Sequence, residues 1–252
     1  MKVIDCYWEE ANIGSSTVEV EIEKDDVFNE ETFSEFVCSF DYVVVKVPMK
    51  MTTFNFGLAK LGYTMTEIQC KLSKDYADFN FDDGLVKRIM PHVSFQKIED
   101  NSSLRTLIEQ ITPGMFSTDR ISLDPHYGLE KACGRYKNWI SSYFEEGKAE
   151  FLSLKYDNKD VGFSMYRKDG ATVEMILGGI FEGYQSRGIG ILTPTRHLLY
   201  AKQTGETIKK VSTTISSNNV SVWRIYNHFN FKVDSLYYVY IMHNTTHNRV
   251  DI

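Results

Sequence analysis

Gly178 to Tyr200 (GGIFEGYQSRGIGILTPTRHLLY) is the stretch whose residue types and spacing best suit chemistry. An apolar run ends, Gln185-Ser186-Arg187-Gly188-Ile189-Gly190 makes a glycine-containing turn, and helical spacing follows from about Ile189. Backbone N–H groups at a new helix start lack partners and carry the positive end of the helix dipole, so such a turn suits an anion. Gly188 and Gly190 let phosphate oxygens approach the backbone, and Arg187 adds a charge-assisted bond. No GK[ST] follows, so this is not a Walker A loop, and the third glycine of a Rossmann fingerprint is missing. Glycines between a strand and a helix are more often punctuation alone.

The context narrows that reading. The turn and the strand before it resemble the acetyl-CoA signature of the GNAT superfamily of N-acetyltransferases, V-x-x-x-Y-[RQ]-x-x-G-x-G, here Ile180, Tyr184, Gln185, Gly188 and Gly190. A second mark of that superfamily, N-x-x-A-x-x-[LI]-Y-x-x-x-G-F, is matched one helix and one strand later by Asn219, Val222, Ile225, Tyr226, Asn230 and Phe231. The departures are Ile180 for Val, Val222 for Ala and Asn230 for Gly. Asn tolerates the left-handed backbone that Gly would supply. The resemblance covers residues 91–252. It implies transfer of an acetyl group from acetyl-CoA to a primary amine of a small molecule, by direct attack in a ternary complex. It places the pyrophosphate on Gln185, Ser186, Arg187, Gly188, Ile189 and Gly190, and pairs the pantetheine arm with the backbone of Ile180 and Phe181, where adjacent strands splay.

Amine acetylation requires a neutral amine, a stabilised oxyanion and a proton for the departing thiolate. Tyr226 matches the superfamily tyrosine that reaches the sulfur, and a phenol can donate that proton; otherwise it is a buried aromatic beside Trp223 and Phe229. Asn219 contacts the pantetheine or simply caps a helix. Glu174, six residues before Ile180, occupies the position where histone-acetylating members carry a general base. The competing assignment is a partly solvated strand residue, with the proton leaving through water. The oxyanion donor would be a backbone N–H between Gly179 and Phe181. Gly178-Gly179 suggests a bulge or a close backbone approach. His197 reads as packed or exposed rather than catalytic. No His, Cys and carboxylate cluster has metal spacing, so no metal is expected.

A narrower resemblance concerns the acceptor. Trp8, Asn12 and Gly14, with Phe116, Arg120, Asp124-Pro125, Tyr136 and Trp139, are similar to two-domain sugar N-acetyltransferases of the dTDP-fucosamine acetyltransferase kind, which act on a nucleotide-linked amino sugar; Ile13 departs from that pattern. A nucleotide sugar needs cations for its diphosphate and aromatics for its rings. Arg120, Tyr136 and Trp139, with Tyr127, are the candidates, against a helix core with a loop salt bridge. Other acceptors are an aminoglycoside, an amino acid or a peptide N-terminus. The alternative from another class is a catalytically silent acyl-CoA sensor or interaction module.

The elements around these residues follow from periodicity. Residues 18–24 alternate as a half-buried strand, 29–39 space apolar residues helically, 42–47 make a β-branched strand before Pro48, 54–61 a helix and 64–72 a strand. A polar stretch from about Lys74 to Met90, containing NFDDG, reads as a linker. Beyond it come a strand (93–98), a helix (102–111) capped by Asn101 or Ser102, and a long amphipathic helix (128–144). Strands 150–156 and 161–167 turn at Asn158-Lys159-Asp160. The remainder reads as a strand (172–181), a helix (189–203), a strand (210–215), a helix (220–228) and a strand (233–242). The fold class is therefore α/β (α+β): a mixed, mostly antiparallel sheet flanked by helices. Residues 54–72 repeat the helix, turn and strand of 222–242 without a phosphate turn. The expected division is thus a degenerate half-domain, residues 1–90, unable to bind CoA, before a complete GNAT domain, residues 91–252.

The whole composition agrees with this frame. The chain has 252 residues, 42% of them hydrophobic and 25% charged, with a formal net charge of -6. That length buries a sizeable core, and the acidic balance argues against a nucleic-acid or anionic-membrane partner. No apolar stretch approaches the roughly 20 residues needed to cross a bilayer. The N-terminus lacks the apolar run of a signal peptide, and Cys6, Cys38, Cys70 and Cys133 form no disulfide-dense framework. A cytoplasmic protein with reduced thiols and a small-molecule partner is expected. A homodimer is left open.

Overall fold

The computed structural model describes residues 1–185 and 187–244. Among them ten strands form one sheet, in the order β1-β2-β3-β10-β4-β9-β8-β7-β6-β5. Chain order begins with β1 (Lys2–Asp5), α1 (Trp8–Ile13), β2 (Thr17–Glu21), α2 (Glu30–Ser39), β3 (Tyr42–Pro48), α3 (Thr52–Lys60), β4 (Thr64–Asp75) and α4 (Gly84–Ile89). It continues with β5 (Val93–Lys97), α5 (Asn101–Glu109), α6 (Gly128–Glu145), β6 (Glu150–Tyr156), β7 (Lys159–Asp169) and β8 (Thr172–Ile180). Last come α7 (Leu192–Thr204), β9 (Lys210–Ser216), α8 (Val220–His228) and β10 (Lys232–His243). From residue 91 this is the element order expected from periodicity. The β2–β3 and β8–β9 pairs are parallel and the other neighbours antiparallel.

Helices cover both faces. On one, Leu198 and Leu199 of α7 and Tyr226 of α8 pack with Val173, Met175 and Val211 of the strands beneath. On the other, Cys133 and Ile140 of α6 and Leu104 and Leu107 of α5 cover Phe151, Phe163 and Met165. Alternation along β7 and β8 separates the two sets, since successive side chains leave opposite faces. No described helix is long and apolar enough to cross a membrane.

Two expectations are corrected. Residues 74–90 are not a linker. β4 runs on to Asp75, and Phe79, Val86 and Ile89 are buried in the α7-side core. NFDDG supplies a helix cap, Asp83 accepting hydrogen bonds from the N–H groups of Leu85 and Val86. The cap of α5 is Asp100, which accepts from Ser103 N–H at 2.9 Å, rather than Asn101 or Ser102.

The internal repeat is visible in backbone detail. Tyr63 N–H donates to Leu58 O at 3.0 Å, and Phe231 N–H to Tyr226 O at 3.1 Å. Gly62 (φ +87°) and Asn230 (φ +51°) make the same left-handed exit from α3 and α8. Leu58 thus stands where the second copy has Tyr226. β4 and β10, which follow the two exits, pair with each other in the middle of the sheet.

Candidate active site

β8 and β9 run side by side from Thr172↔Lys210 to Met175↔Thr213 and then part. Both outer edges are held while the inner ones separate. β7 keeps β8 through Gly162↔Ile180, and β4 keeps β9 through Gln69↔Ser216. At the fork Thr213 Oγ1 donates to Met175 O at 2.9 Å. Just beyond it Ile176 is an extra residue in the β7–β8 ladder, a bulge that bends β8 away. Close approach follows at Gly178, where a Cβ would lie 2.6 Å from Phe163 O. Of the two alternatives at Gly178-Gly179, the close backbone approach is found at Gly178 itself, and a bulge lies two residues earlier. β2 and β3 pair along the whole of β2, so no such fork opens in the first copy.

The fork opens a cavity of about 460 Å³ that reaches through the sheet, lined from both faces. Tyr226, Asn219 and Arg196 line it from the α7–α8 side, and Tyr136, Trp139, Phe116 and Arg120 from the α6 side. Five residues singled out from two separate sequence patterns, Tyr226, Asn219, Arg120, Tyr136 and Trp139, thus share one space, together with Glu174.

Tyr226 is 2% exposed. Burial raises its phenol above the ordinary value, while Arg196 and Thr213 draw it partly back. It stays protonated at neutral pH and can donate. Asn219 caps α8, accepting from Val222 N–H at 3.2 Å, and also faces the cavity. Glu174 lies at the solvent edge, and its Oε2 accepts from Arg167 Nη2 at 2.8 Å. Tyr136 stacks near Phe116, with ring centres 4.6 Å apart. Its phenol is pushed well up, first by burial and then by the Asp119 carboxylate.

Arg120 is not a free diphosphate ligand. Its Nη2 lies 3.7 Å from Glu19 Oε2, and its buried Nε has no partner. Tyr127 does not line the cavity; its hydroxyl donates to Ser15 Oγ at 3.0 Å and its ring packs on Tyr42. Phe181 N–H is already spent on Val161 O at 2.8 Å, so it is not an oxyanion donor. Strand alternation instead turns the N–H and C=O of Ile180 toward the open edge of β8.

The glycine turn lies beyond the cavity, between β8 and α7. Gln185 Nε2 donates back to Ile180 O at 3.2 Å and closes it. Gly188 is left-handed at φ +77°, which suits glycine. Ile189 to Ile191 form one 3-10 turn before α7 begins. Arg187 lies over the Tyr184 ring, 5.3 Å from its centre, and Arg88 Nη2 stands 4.0 Å from where a Gly188 Cβ would be. The two guanidiniums and the positive end of the helix dipole fit a diphosphate. Ser186, expected in the same turn, lies outside the described residues.

Several lining residues have no signature in sequence. Glu67 and Gln69 of β4, Glu19 of β2 and Lys46 of β3 bring charged and polar side chains from the first ninety residues into the cavity. Glu67 is 3% exposed. Lys46 Nζ bonds Glu19 Oε1 at 2.6 Å, which helps hold that carboxyl below its ordinary value against the opposing effect of burial. Only the pairing of β3 with β10, and of β4 with β9 and β10, reveals that these residues face the second copy.

Comparison with solved structures gives the fold. A tandem GNAT protein from the clavulanic acid biosynthesis pathway superposes with a TM-score of 0.55 at 10% identity, over 90% of this chain and 75% of that one. The fold is that of the GCN5-related N-acetyltransferases. A functionally unknown conserved protein from Staphylococcus epidermidis ATCC 12228 gives 0.61 at 12% identity, over 92% and 86% of the two chains. A GCN5-related glucosamine N-acetyltransferase region of a fungal multi-domain β-N-acetylglucosaminidase gives 0.58 at 14% identity, over 80% of this chain and 25% of that one. No family model and no curated protein matches the sequence.

Proposed function

We propose that this protein is an acetyl-CoA-dependent N-acetyltransferase that acetylates a primary amine of a small molecule by direct attack in a ternary complex. The observation that carries this is the cavity through the forked sheet. A buried, protonated phenol lines it from one face, and aromatic and acidic side chains line it from the other. In this assignment the turn from Gln185 to Gly190 holds the diphosphate, and Ile180 offers its edge groups to the pantetheine amides. The amine enters from the α6 side, past Trp139 and Tyr136. Its nitrogen attacks the thioester carbon, the C–S bond breaks, and Tyr226 protonates the sulfur. Glu174 at the mouth accepts the amine proton, directly or through water.

The acceptor is proposed to be an amino sugar, carried on a nucleotide. Tyr136 and Trp139 offer flat apolar surfaces for a sugar ring, and one fold neighbour is described as a glucosamine N-acetyltransferase region. Arg120, whose 3.7 Å contact to Glu19 leaves its Nε without a partner, lines the same cavity and is the cation offered to a diphosphate.

The test is a panel of amino sugars, nucleotide-linked amino sugars, amino acids and aminoglycosides, read by CoA thiol release, beside calorimetry with acetyl-CoA. The expected result is acetyl-CoA binding, weakened in Gly188→Trp, and thiol release with an amino sugar. Binding without release from any amine would replace the enzyme by an acyl-CoA sensor. No binding at high ligand concentration would sink both.

A further inference from the structure

Arg196 is a cation in an unexpected place. It lies on the inward face of α7, 2% exposed, where an amphipathic helix ordinarily carries Leu or Ala. Buried guanidiniums are normally matched by a carboxylate, because an unpaired buried charge is costly. Among the described residues no carboxylate lies within ion-pair distance of Arg196. Its neutral partners hold it instead. Nε donates to Ser164 Oγ at 2.7 Å, and Nη1 donates to Thr193 O. Ser164 is itself buried and lies 2.9 Å from His197 Nε2. The third nitrogen, Nη2, is turned toward the fork, 3.3 Å from where a Cβ on Gly178 would stand. Arg196 and Tyr226 line the same cavity.

We propose that Arg196 is the binding site for the CoA sulfur as it becomes a thiolate, holding that charge until Tyr226 delivers its proton. The proposal rests on the acetyltransferase assignment above. When the amine nitrogen forms its bond to the carbonyl carbon and the C–S bond breaks, the electron pair goes to sulfur. The new anion lies in a buried space beside a guanidinium already desolvated, fixed by Ser164 and Thr193, and lacking a carboxylate. The phenolic proton then moves to sulfur; Glu174 takes the amine proton and releases it to solvent, and solvent returns a proton to the phenol, so charge and protons balance.

The groups facing Arg196 support this arrangement. Tyr226 stands opposite on α8, and the guanidinium lowers the cost of its ionisation. His197, on the same helix, is kept neutral by burial, by Arg196 and by Lys168, so it adds no competing charge. The carboxylates of the cavity, Glu19, Glu67, Asp119 and Glu174, lie on other elements, and none makes an ion pair to Arg196.

The experiment titrates the thiol of bound CoA by its ultraviolet thiolate absorbance, in the wild-type protein and in Arg196→Met and Arg196→Lys. A free thiol titrates at about 8.5. In the wild type the bound thiol is expected to titrate lower by about one pH unit or more, equivalent to about tenfold tighter thiolate binding. Arg196→Met should return it to the free value or above, and Arg196→Lys should keep part of the shift. Since Arg196→Met could fail to fold, wild-type affinities for CoA and for desulfo-CoA are compared from about pH 6 to about pH 9, a window spanning that thiol value. Preference for CoA should grow across it. CoA binding with an unshifted thiol and a flat preference would overturn the role of Arg196 and leave the acetyltransferase assignment standing; absence of CoA binding would remove that assignment itself.

Discussion

Tyr226 and Gly178 both line the cavity, and each makes a separable prediction. In the proposed reaction Tyr226 acts only in the chemical step, as the proton donor to sulfur. Tyr226→Phe is therefore expected to lower kcat by about 100-fold or more while the acetyl-CoA dissociation constant stays within a factor of two or so. Steady-state kinetics beside calorimetry check this, and an unchanged kcat would take the acid role from Tyr226. Gly178→Ala places a methyl 2.6 Å from Phe163 O and 3.3 Å from Arg196 Nη2. A backbone atom is the obstacle, so the strand must shift. A loss of about 1–3 kcal/mol in chemical denaturation is expected, as for other overpacked sites. Tyr226 was legible in sequence because it belongs to a spaced pattern. Arg196 and Glu67 were not. An arginine in an amphipathic helix and a glutamate in an alternating strand normally face solvent, and here tertiary pairing decides otherwise. The contact of Arg120 with Glu19 was hidden for the same reason, the two lying about a hundred residues apart in sequence.

At the level of elements, α7 and α8 flank the cavity, and α8 is held at its start by the side chain of Asn219. Asn219→Ala removes the cap of α8 and should cost about 1 kcal/mol in thermal or chemical unfolding. It should also lower activity, since the start of α8 lines the cavity. α7 makes a pH-dependent prediction. His197 is 2% exposed, and its pKa in the folded protein is held well below the ordinary value, by burial first and then by Arg196 and Lys168. Below about pH 6.5 the unfolded chain gains a proton at this histidine that the folded chain refuses. Stability should therefore rise with pH through that region and fall on acidification from about pH 7 to about pH 5, by up to about 1.4 kcal/mol per pH unit. Denaturant midpoints measured across this range check the slope, and His197→Gln should flatten it. An equal slope in the variant would show that other groups carry the effect. Helix positions were readable from apolar spacing because that spacing records which face is buried. The polar run from Lys74 to Met90 was misread because its few buried anchors, Phe79, Val86 and Ile89, are spread through charged residues.

For the whole molecule, the sheet order is the decisive fact. Helix, left-handed exit and strand recur as α3–Gly62–β4 and α8–Asn230–β10, yet neither strand lies beside its own preceding strand. β10 lies between β3 and β4, and β4 lies between β10 and β9. The two copies exchange their last strands. The boundary near residue 90 is a boundary in sequence, and the sheet crosses it. This crossing also brings Glu67 and Gln69 of β4 into the cavity of the second copy. Sequence could disclose the repeat, since the repeat is local, but strand exchange leaves the same local pattern as no exchange. The consequence is specific. A fragment of residues 91–252 would lose both neighbours of β10 and one neighbour of β9, leaving unpaired three strand edges that the intact sheet pairs. Exposed edges of that kind favour aggregation. The fragment is expected to be insoluble, or to lack the cooperative unfolding transition of the full chain. Co-expression with residues 1–90 should restore a soluble complex, because β3 and β4 can be supplied in trans. A soluble fragment with cooperative unfolding and full acetyl-CoA affinity would show that the second copy closes its own sheet, and that the first ninety residues are an appendage rather than part of the active site.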